Sequence, residues 1–480
     1  MNVLFVASEC APFVKTGGLA DVIGAVPKTL AALGVGVRVM LPAYPPLAEI
    51  LNSGDTVLTI KELHGGAARL VSASAAGLDL LLLDAPHLFD RPGSIYLGPN
   101  GQDWDDNHLR FGALSQIAAQ VAMEGVGGWQ PGLVHAHDWQ AALVAAYLRQ
   151  SRKTTPPCVL TIHNIAFQGV FEASACKALG LSKDLFTPEG MEYWGKLSFL
   201  KAGIAFSHKI TTVSPTYARE LLLPEFGMGL EGILQARRGD LSGILNGIDT
   251  DTWNPATDAD LIAPYSARTL RRKAENRTKV EARFGLNANP DAPLFCVVSR
   301  LTMQKGLDLL LDVLPGLVGR GARLAILGSG DKTLEAGFVA AARRFSGSVG
   351  TIIGYDEALS HLMQGGSDAI LIPSRFEPCG LTQLYGLRYG TIPVVARTGG
   401  LADTVIDANE AALAAKCATG LQFAPVTAAA LDQVIERTCD LFAQPKVWAA
   451  MQRRGMRQSV GWDQSAQAYL DLYRSLCGLP

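Results

Sequence analysis

At 480 residues the chain is too long for one hydrophobic core, and two domains of roughly 230 residues are the natural division. A net charge of −2 with no long basic run argues against nucleic acid as the main partner. Eight cysteines without a CxxC pair suggest neither a zinc ribbon nor a disulfide scaffold. With no basic signal region and no apolar run near the ~18 residues that span a bilayer, a cytoplasmic protein without a membrane partner is expected.

The first strand is expected at Val3–Ser8, followed by a loop with Lys15-Thr16-Gly17-Gly18-Leu19-Ala20-Asp21 and a helix over Ala20–Leu33. In a strand–glycine loop–helix unit, backbone N–H groups and the helix dipole favour an anion. Lys15 adds a compact positive charge suited to phosphate, although a lysine here also reads as a solvated surface group. Strands at Val37–Leu41 and Leu78–Asp84 follow. Asp103-Trp104-Asp105 has the Asp-x-Asp form of metal-dependent sugar transferases, but it lies just before a helical stretch at Asn107–Met123, where Asp105 or Asp106 serves as a cap.

Strand Leu133–His137 runs into Asp138-Trp139 and a helix over Trp139–Gln150. In doubly wound sheets ligands bind beyond the carboxyl ends of strands, which puts Asp138 at the expected crevice. Trp139 is either a sugar-stacking platform or core. His135 and His137 share a spacing that suits one metal, but no third ligand is near. The next strand, Val159–His163, brings His163 and Asn164 beside Asp138, and the Asn164 amide suits sugar hydroxyls. Strands at Ile210–Ser214 and Ser242–Asn246 complete the first half. These strands are continuously apolar, as expected when helices cover both faces of a parallel sheet.

Asp249–Ala267 is rich in Asp and Pro and lacks a period, so it reads as an interdomain linker. Alternation resumes with strands at Pro293–Ser299, Arg323–Leu327, Thr351–Ile353, Ala369–Ile372 and Ile392–Ala396. Helices are expected at Lys305–Leu317, Leu334–Phe345, Glu357–Gln364 and Gly380–Arg388. Arg300 and Lys305 bracket the loop after the first of these strands and could neutralise a diphosphate. Glu377 lies just before a helix start at Gly380, Leu381 and Thr382, whose N–H groups point the same way. A bland reading of Glu377 is helix stabilisation worth about 0.3–1 kcal/mol. A second TGGLAD appears at Thr398–Asp403, again after a cation, Arg397. The matched pair suggests two similar domains gripping one phosphorylated ligand from both sides. From about Ala428 the chain is helical, and Asp463–Leu476 carries one apolar face that must pack on something. A GxxxxGK[ST] loop is absent, as is a GxGxxG after the first strand.

Seven motifs in order, KTGGLADV, HAHDW, TIHNIAFQG, NGID, SRLTMQKGLDLL, PSRFEPCGLTQLYG and RTGGLADTV, resemble glycosyltransferase family 5, the bacterial glycogen and starch synthases. The resemblance implies an α/β GT-B fold of two Rossmann-like doubly wound domains facing across a deep cleft. The domains expected are residues 1–245 on the acceptor side, a hinge at 246–267, a donor domain at 268–455, and a tail at 456–480 returning to the first domain. It further implies retaining transfer of glucose from ADP-glucose to the non-reducing end of an α-1,4-glucan, with no metal and no cofactor.

By position, Lys15, Gly17, Gly18 and Asp21 would contact the donor, and Arg300 and Lys305 would hold its diphosphate. His163 would lie by the glucose, with its carbonyl near the anomeric carbon. Asp138 and Asn164 would meet sugar hydroxyls, Asp138 and Trp139 facing the acceptor. Glu377 would hydrogen-bond the glucose, Tyr355 would stack on the base, and Asn246, Cys379, Gly380, Leu381 and Thr382 would complete the donor site. Related retaining enzymes carry a second glutamate eight residues after the first; here that position is Tyr385.

Overall fold

A computed structural model describes residues 1–479. The chain forms two compact units, one made of residues 1–246 and 462 onward, the other of Gly247–Gly461.

Among the described residues the first unit is built on a nine-stranded sheet. Its order runs Leu241–Gly243, Lys209–Thr212, Cys158–Ile162, Leu133–His137, Asn2–Val6, Gly36–Pro42, Leu78–Asp84, Ala68–Ala75, Asp55–Ile60. The first seven are parallel and the last two antiparallel. Phe5 sits at the centre, in register with Val39 on one side and His135 on the other. Chain order therefore reverses between Asn2–Val6 and Leu133–His137, and the loops leaving these two strands open at one point. Two segments escape the apolar pattern. Asp55–Ile60, the edge strand, and Ala68–Ala75 beside it carry several half-exposed positions, and Val170–Glu172, Lys196–Ser198 and Glu192–Tyr193 make a small separate sheet.

The tail helix, Asp463–Cys477, packs on the helix Gly18–Ala32 of the first unit. Its apolar stripe buries Ala466, Tyr469, Leu470 and Tyr473, and the Tyr473 hydroxyl lies 2.6 Å from His135 Nδ1. The Ser465 hydroxyl donates to the Leu245 carbonyl.

The second unit carries six parallel strands among the described residues, ordered Val349–Ile353, Arg323–Gly328, Leu294–Val298, Ala369–Ile372, Ile392–Ala396, Leu421–Phe423. In chain order this is 3-2-1-4-5-6, the Rossmann arrangement, with its switch point between Leu294–Val298 and Ala369–Ile372.

The expected linker is corrected here. Residues 247–267 fold into the second unit, because Ile248, Trp253, Leu261 and Tyr265 are buried in one apolar cluster with Leu384, Leu387, Tyr389 and Met456. Trp253 is sandwiched between His361 and Tyr385, each stacked at 3.7 Å. The tail boundary moves for the same reason: Met456 and Val460 belong to that cluster, and Ile248 N–H donates to the Val460 carbonyl at 2.8 Å. The chain therefore passes between units at 246/247 and again at 461/462.

Candidate functional site

In the second unit the loops at the switch point come together. Lys305, closing the short helical turn Met303–Lys305, places Nζ 2.6 Å from Oε2 of Glu377. The Ser374 hydroxyl donates to the same Oε2 at 2.9 Å. Among the described residues no hydrogen bond reaches the other oxygen, Oε1. The loop is braced on both sides. Gln304 Nε2 donates to the Phe376 carbonyl at 3.2 Å, and the Arg375 N–H donates to the Gln304 carbonyl at 2.9 Å. Arg375 is also clamped by Asp308. Arg300, by contrast, is exposed and has no ion pair among the described residues.

The next helix begins at Thr382, two residues later than the sequence suggests, because Gly380 has φ +74° and cannot be the first helical residue. Gln383 turns back to donate to the Cys379 and Gly380 carbonyls. Cys379 is buried, Leu381 is the cap residue and Tyr355 stands 74% exposed after Gly354, its hydroxyl 2.6 Å from Glu357. Tyr385, where related enzymes carry the second glutamate, is a wall of the Trp253 sandwich.

The second TGGLAD packs against the Glu377 loop. A side chain on Gly399 would collide with the Glu377 carbonyl, and one on Gly400 with the backbone of Cys379. The Gly400 N–H donates to the Glu377 and Pro378 carbonyls at 3.2 and 3.1 Å. These glycines allow close packing beneath the Glu377 loop, which they buttress.

In the first unit, a Cβ on Gly17 or Gly18 would meet nothing within 4 Å, so this loop stands open, with Lys15 exposed and 2.8 Å from Asp21. Its backbone is not wholly available to a ligand, however. The buried Glu9 accepts from Thr16 N–H at 2.5 Å, Thr16 Oγ1 at 2.6 Å, Gly17 N–H at 3.2 Å and the Tyr96 hydroxyl at 2.5 Å. Glu9 is the functional residue that sequence reasoning missed: a lone carboxylate after a strand has no local pattern, and its partners are identified only in the fold.

Asp138 opens the helix Asp138–Gln150 with φ +56°, a strained conformation for a non-glycine residue. Its Oδ1 accepts the His163 N–H at 2.7 Å and the Asn164 N–H at 3.4 Å, so the carboxyl holds the turn that carries His163. Burial pushes the Asp138 carboxyl up to about 7, against the two N–H bonds that lower it. Burial holds His163 down to about 3, which keeps it neutral near pH 7. Asn164 uses its Oδ1 on the Ala166 N–H, which leaves its NH₂ as the group that can meet a sugar hydroxyl. Asn246 ends the first segment of this unit, half exposed.

Trp139 is corrected: it is 9% exposed, packed against Phe111, Phe171 and Phe199, with Gly169 tight against its ring. A tryptophan with covered faces is core and cannot stack on an acceptor sugar.

His135 has both ring nitrogens engaged, by Tyr473 and by Thr161, and is no metal ligand. Asp106 occupies the cap position of helix Asn107–Glu124, but its carboxylate makes no cap bond and instead pairs with Arg91. Among the described residues the one cluster of three possible metal ligands is Asp258, Asp260 and His361. There the Asp258 oxygens already accept from the Tyr389 hydroxyl and the Asp260 N–H, and Asp258 pairs with His361. Among the described residues, no helix is long and apolar enough to cross a membrane.

Residues 2–236 match the starch synthase catalytic domain family, and residues 278–446 match the glycosyl transferases group 1 family. The chain is 69% identical to the glycogen synthase of Roseobacter denitrificans over the full length of both. It is 55% identical to that of Mesorhizobium japonicum over 99% of each. Its fold resembles the catalytic domain of starch synthase IV from Arabidopsis thaliana, solved with ADP and acarbose, at TM-score 0.88, 31% identity and 99% coverage of both chains. The fold class is α/β, of the GT-B type, with two Rossmann-like units. The chain belongs to the glycogen and starch synthase family of glycosyltransferases.

Proposed function

We propose that this protein is a glycogen synthase that transfers glucose from ADP-glucose to the non-reducing end of an α-1,4-glucan, with retention and without metal or cofactor. The observation that carries the reading is the Lys305–Glu377 pair at the switch point of the second unit, beside an exposed Arg300. Arg300 and Lys305 supply the positive charge that a diphosphate needs if no ion does. Tyr355 offers an open ring to the adenine, and the free Oε1 of Glu377 takes a glucose hydroxyl. Cys379, Gly380, Leu381 and Thr382 line the start of the following helix. In the first unit Lys15, Gly17 and Gly18, with Asp21 and Asn246, serve the donor; His163 and Asn164 serve the transferred sugar, with Asp138 fixing their turn.

The bond from the anomeric carbon to the diphosphate oxygen breaks, and a bond from that carbon to the acceptor hydroxyl oxygen forms on the same face. The leaving phosphate takes the acceptor proton. The protein's contribution is electrostatic and positional: it neutralises the diphosphate and orients two sugars. His163, uncharged at neutral pH, contributes hydrogen bonding rather than positive charge.

The test is ADP or UDP release with glycogen, each donor supplied in turn after exhaustive chelation. ADP-glucose should support full turnover. Preference for UDP-glucose, or activity restored only by manganese or magnesium, would overturn the donor and metal parts of the proposal respectively.

A further inference from the structure

The strands Leu133–His137 and Cys158–Ile162 end side by side, and the histidines at their ends touch. His137 Nδ1 lies 3.0 Å from His163 Nε2. His137 is wholly buried, flanked by His135 at 4.0 Å and Phe5 at 5.1 Å between ring centroids. Its other nitrogen, Nε2, is buried and has no hydrogen-bond partner among the described residues. His135 cannot provide one, since its own nitrogens serve Tyr473 and Thr161.

Burial holds both His137 and His163 well below the ordinary imidazole range, so both rings are neutral at physiological pH. In a hydrogen bond shared by two neutral imidazoles, one ring donates its single N–H and the other accepts on its bare nitrogen. If His163 donated from Nε2, His137 would carry its own proton on Nε2, a buried N–H with nothing to accept it. If His137 donates from Nδ1, what remains on its Nε2 is a bare lone pair. Orphaned buried N–H groups are the rarer and costlier of the two.

We propose that His137 is a positioning residue that fixes the tautomer of His163, donating its Nδ1–H to His163 Nε2 so that His163 keeps its proton on Nδ1. His163 then meets the substrate only as a hydrogen-bond donor, through Nδ1–H, and has no free basic nitrogen. It is excluded as the base that removes the acceptor proton. The identity of that substrate rests on the function proposed above; the tautomer does not.

The experiment is nitrogen-15 NMR of the full chain labelled at its eight histidines, with His163 assigned by its loss in His163→Asn. At neutral pH the His163 signals should be those of a protonated Nδ1 and an unprotonated Nε2. The reverse pattern would overturn the proposal. His137→Phe keeps a ring in place and removes the donor; it should leave His163 averaged between tautomers and lower kcat roughly tenfold. His137→Asn returns an amide N–H close to where Nδ1–H was, and should restore the tautomer and bring kcat within about threefold of wild type. Wild-type turnover in the Phe variant, or an Asn variant no better than Phe, would also refute it. If the Phe variant does not fold, the wild-type spectrum and the Asn variant still decide. A chain that transfers glucose from no donor yet shows the expected spectrum would refute the proposed function and leave this inference standing.

Discussion

Removing Lys305 should have two separable consequences. Its ammonium lies 2.6 Å from Glu377, and the two side chains are 18% and 9% exposed. Lys305→Ala takes away a preorganised contact to the leaving diphosphate, which typically lowers turnover about 10²–10³-fold. It also strands the Glu377 carboxylate, leaving the Ser374 hydroxyl as its remaining hydrogen-bond donor among the described residues. Breaking a fully buried pair costs about 3–5 kcal/mol. Residual exposure of both groups screens this one, so a loss of about 1–3 kcal/mol is the working figure. In a unit of this size that is a fall in Tm of roughly 2–12 °C. Glu377→Gln added to Lys305→Ala removes the stranded charge, so the double variant should regain most of the lost stability while its activity stays low. Thermal melts of the four proteins of this cycle, read beside ADP release, measure the two effects separately. If Lys305→Ala melts with the wild type, or if the stability losses of the single variants simply add, the pair is not coupled as described and the argument fails.

Glu9→Gln puts an NH₂ against loop N–H groups that now face a carboxylate oxygen. The KTGG loop should loosen, raising the donor KM about tenfold with little change in fold stability; an unchanged KM would show that Glu9 does not organise the loop. Trp253→Ala removes the centre of a stacked triple and should cost about 3–5 kcal/mol; a melt shifted by under a degree would restore the linker reading of residues 249–267. His163 is held at about 3 in the fold against 6.5 when free, so it favours the folded state fully above pH 6.5 and progressively less as pH falls below it. Relative to wild type, His163→Asn should therefore gain about 2 kcal/mol between pH 7.5 and 5 in urea titrations. The buried His135 and His137 share that slope, and taking the difference between the two proteins cancels most of it. A difference that does not change with pH would mean His163 is not buried neutral.

The repeated TGGLAD shows both the reach and the limit of reading the chain. The strand–loop–helix units around both copies are visible in the sequence because hydrophobic period and glycine punctuation are local properties. What each glycine pair faces is not local: open space at Gly17 and Gly18, the backbone of residues 377–379 at Gly399 and Gly400. Identical letters therefore do different jobs. Glu377, Lys305 and Asp138 were legible because they fall at strand ends next to a switch point, and topology alone brings those ends together. Glu9 was not, since its partners, Thr16 and Gly17 in the loop and Tyr96 87 residues away, meet it only in the fold. Trp139 and Trp253 failed in opposite directions. A tryptophan at a strand end looks like a sugar platform, and one in a proline-rich stretch looks like a linker. Only the neighbours that cover them, Phe171 and Phe199 in one case and His361 and Tyr385 in the other, show both to be structural.

The docking of helix Asp463–Cys477 onto the first unit sets an order on biosynthesis. The hydrogen bond from Tyr473 to His135 joins residues 338 positions apart. At about 5–20 residues per second, a ribosome takes roughly 20–70 s to travel from one to the other. Through that interval every residue of Gly247–Gly461 is made, while the part of the first unit already synthesised waits with the helix Gly18–Ala32 uncovered. The first unit is closed only by a segment translated after all of Gly247–Gly461. A chain ended early by a stop codon or a broken message keeps that apolar face bare, so the cell's chaperones and proteases can tell an unfinished enzyme from a finished one.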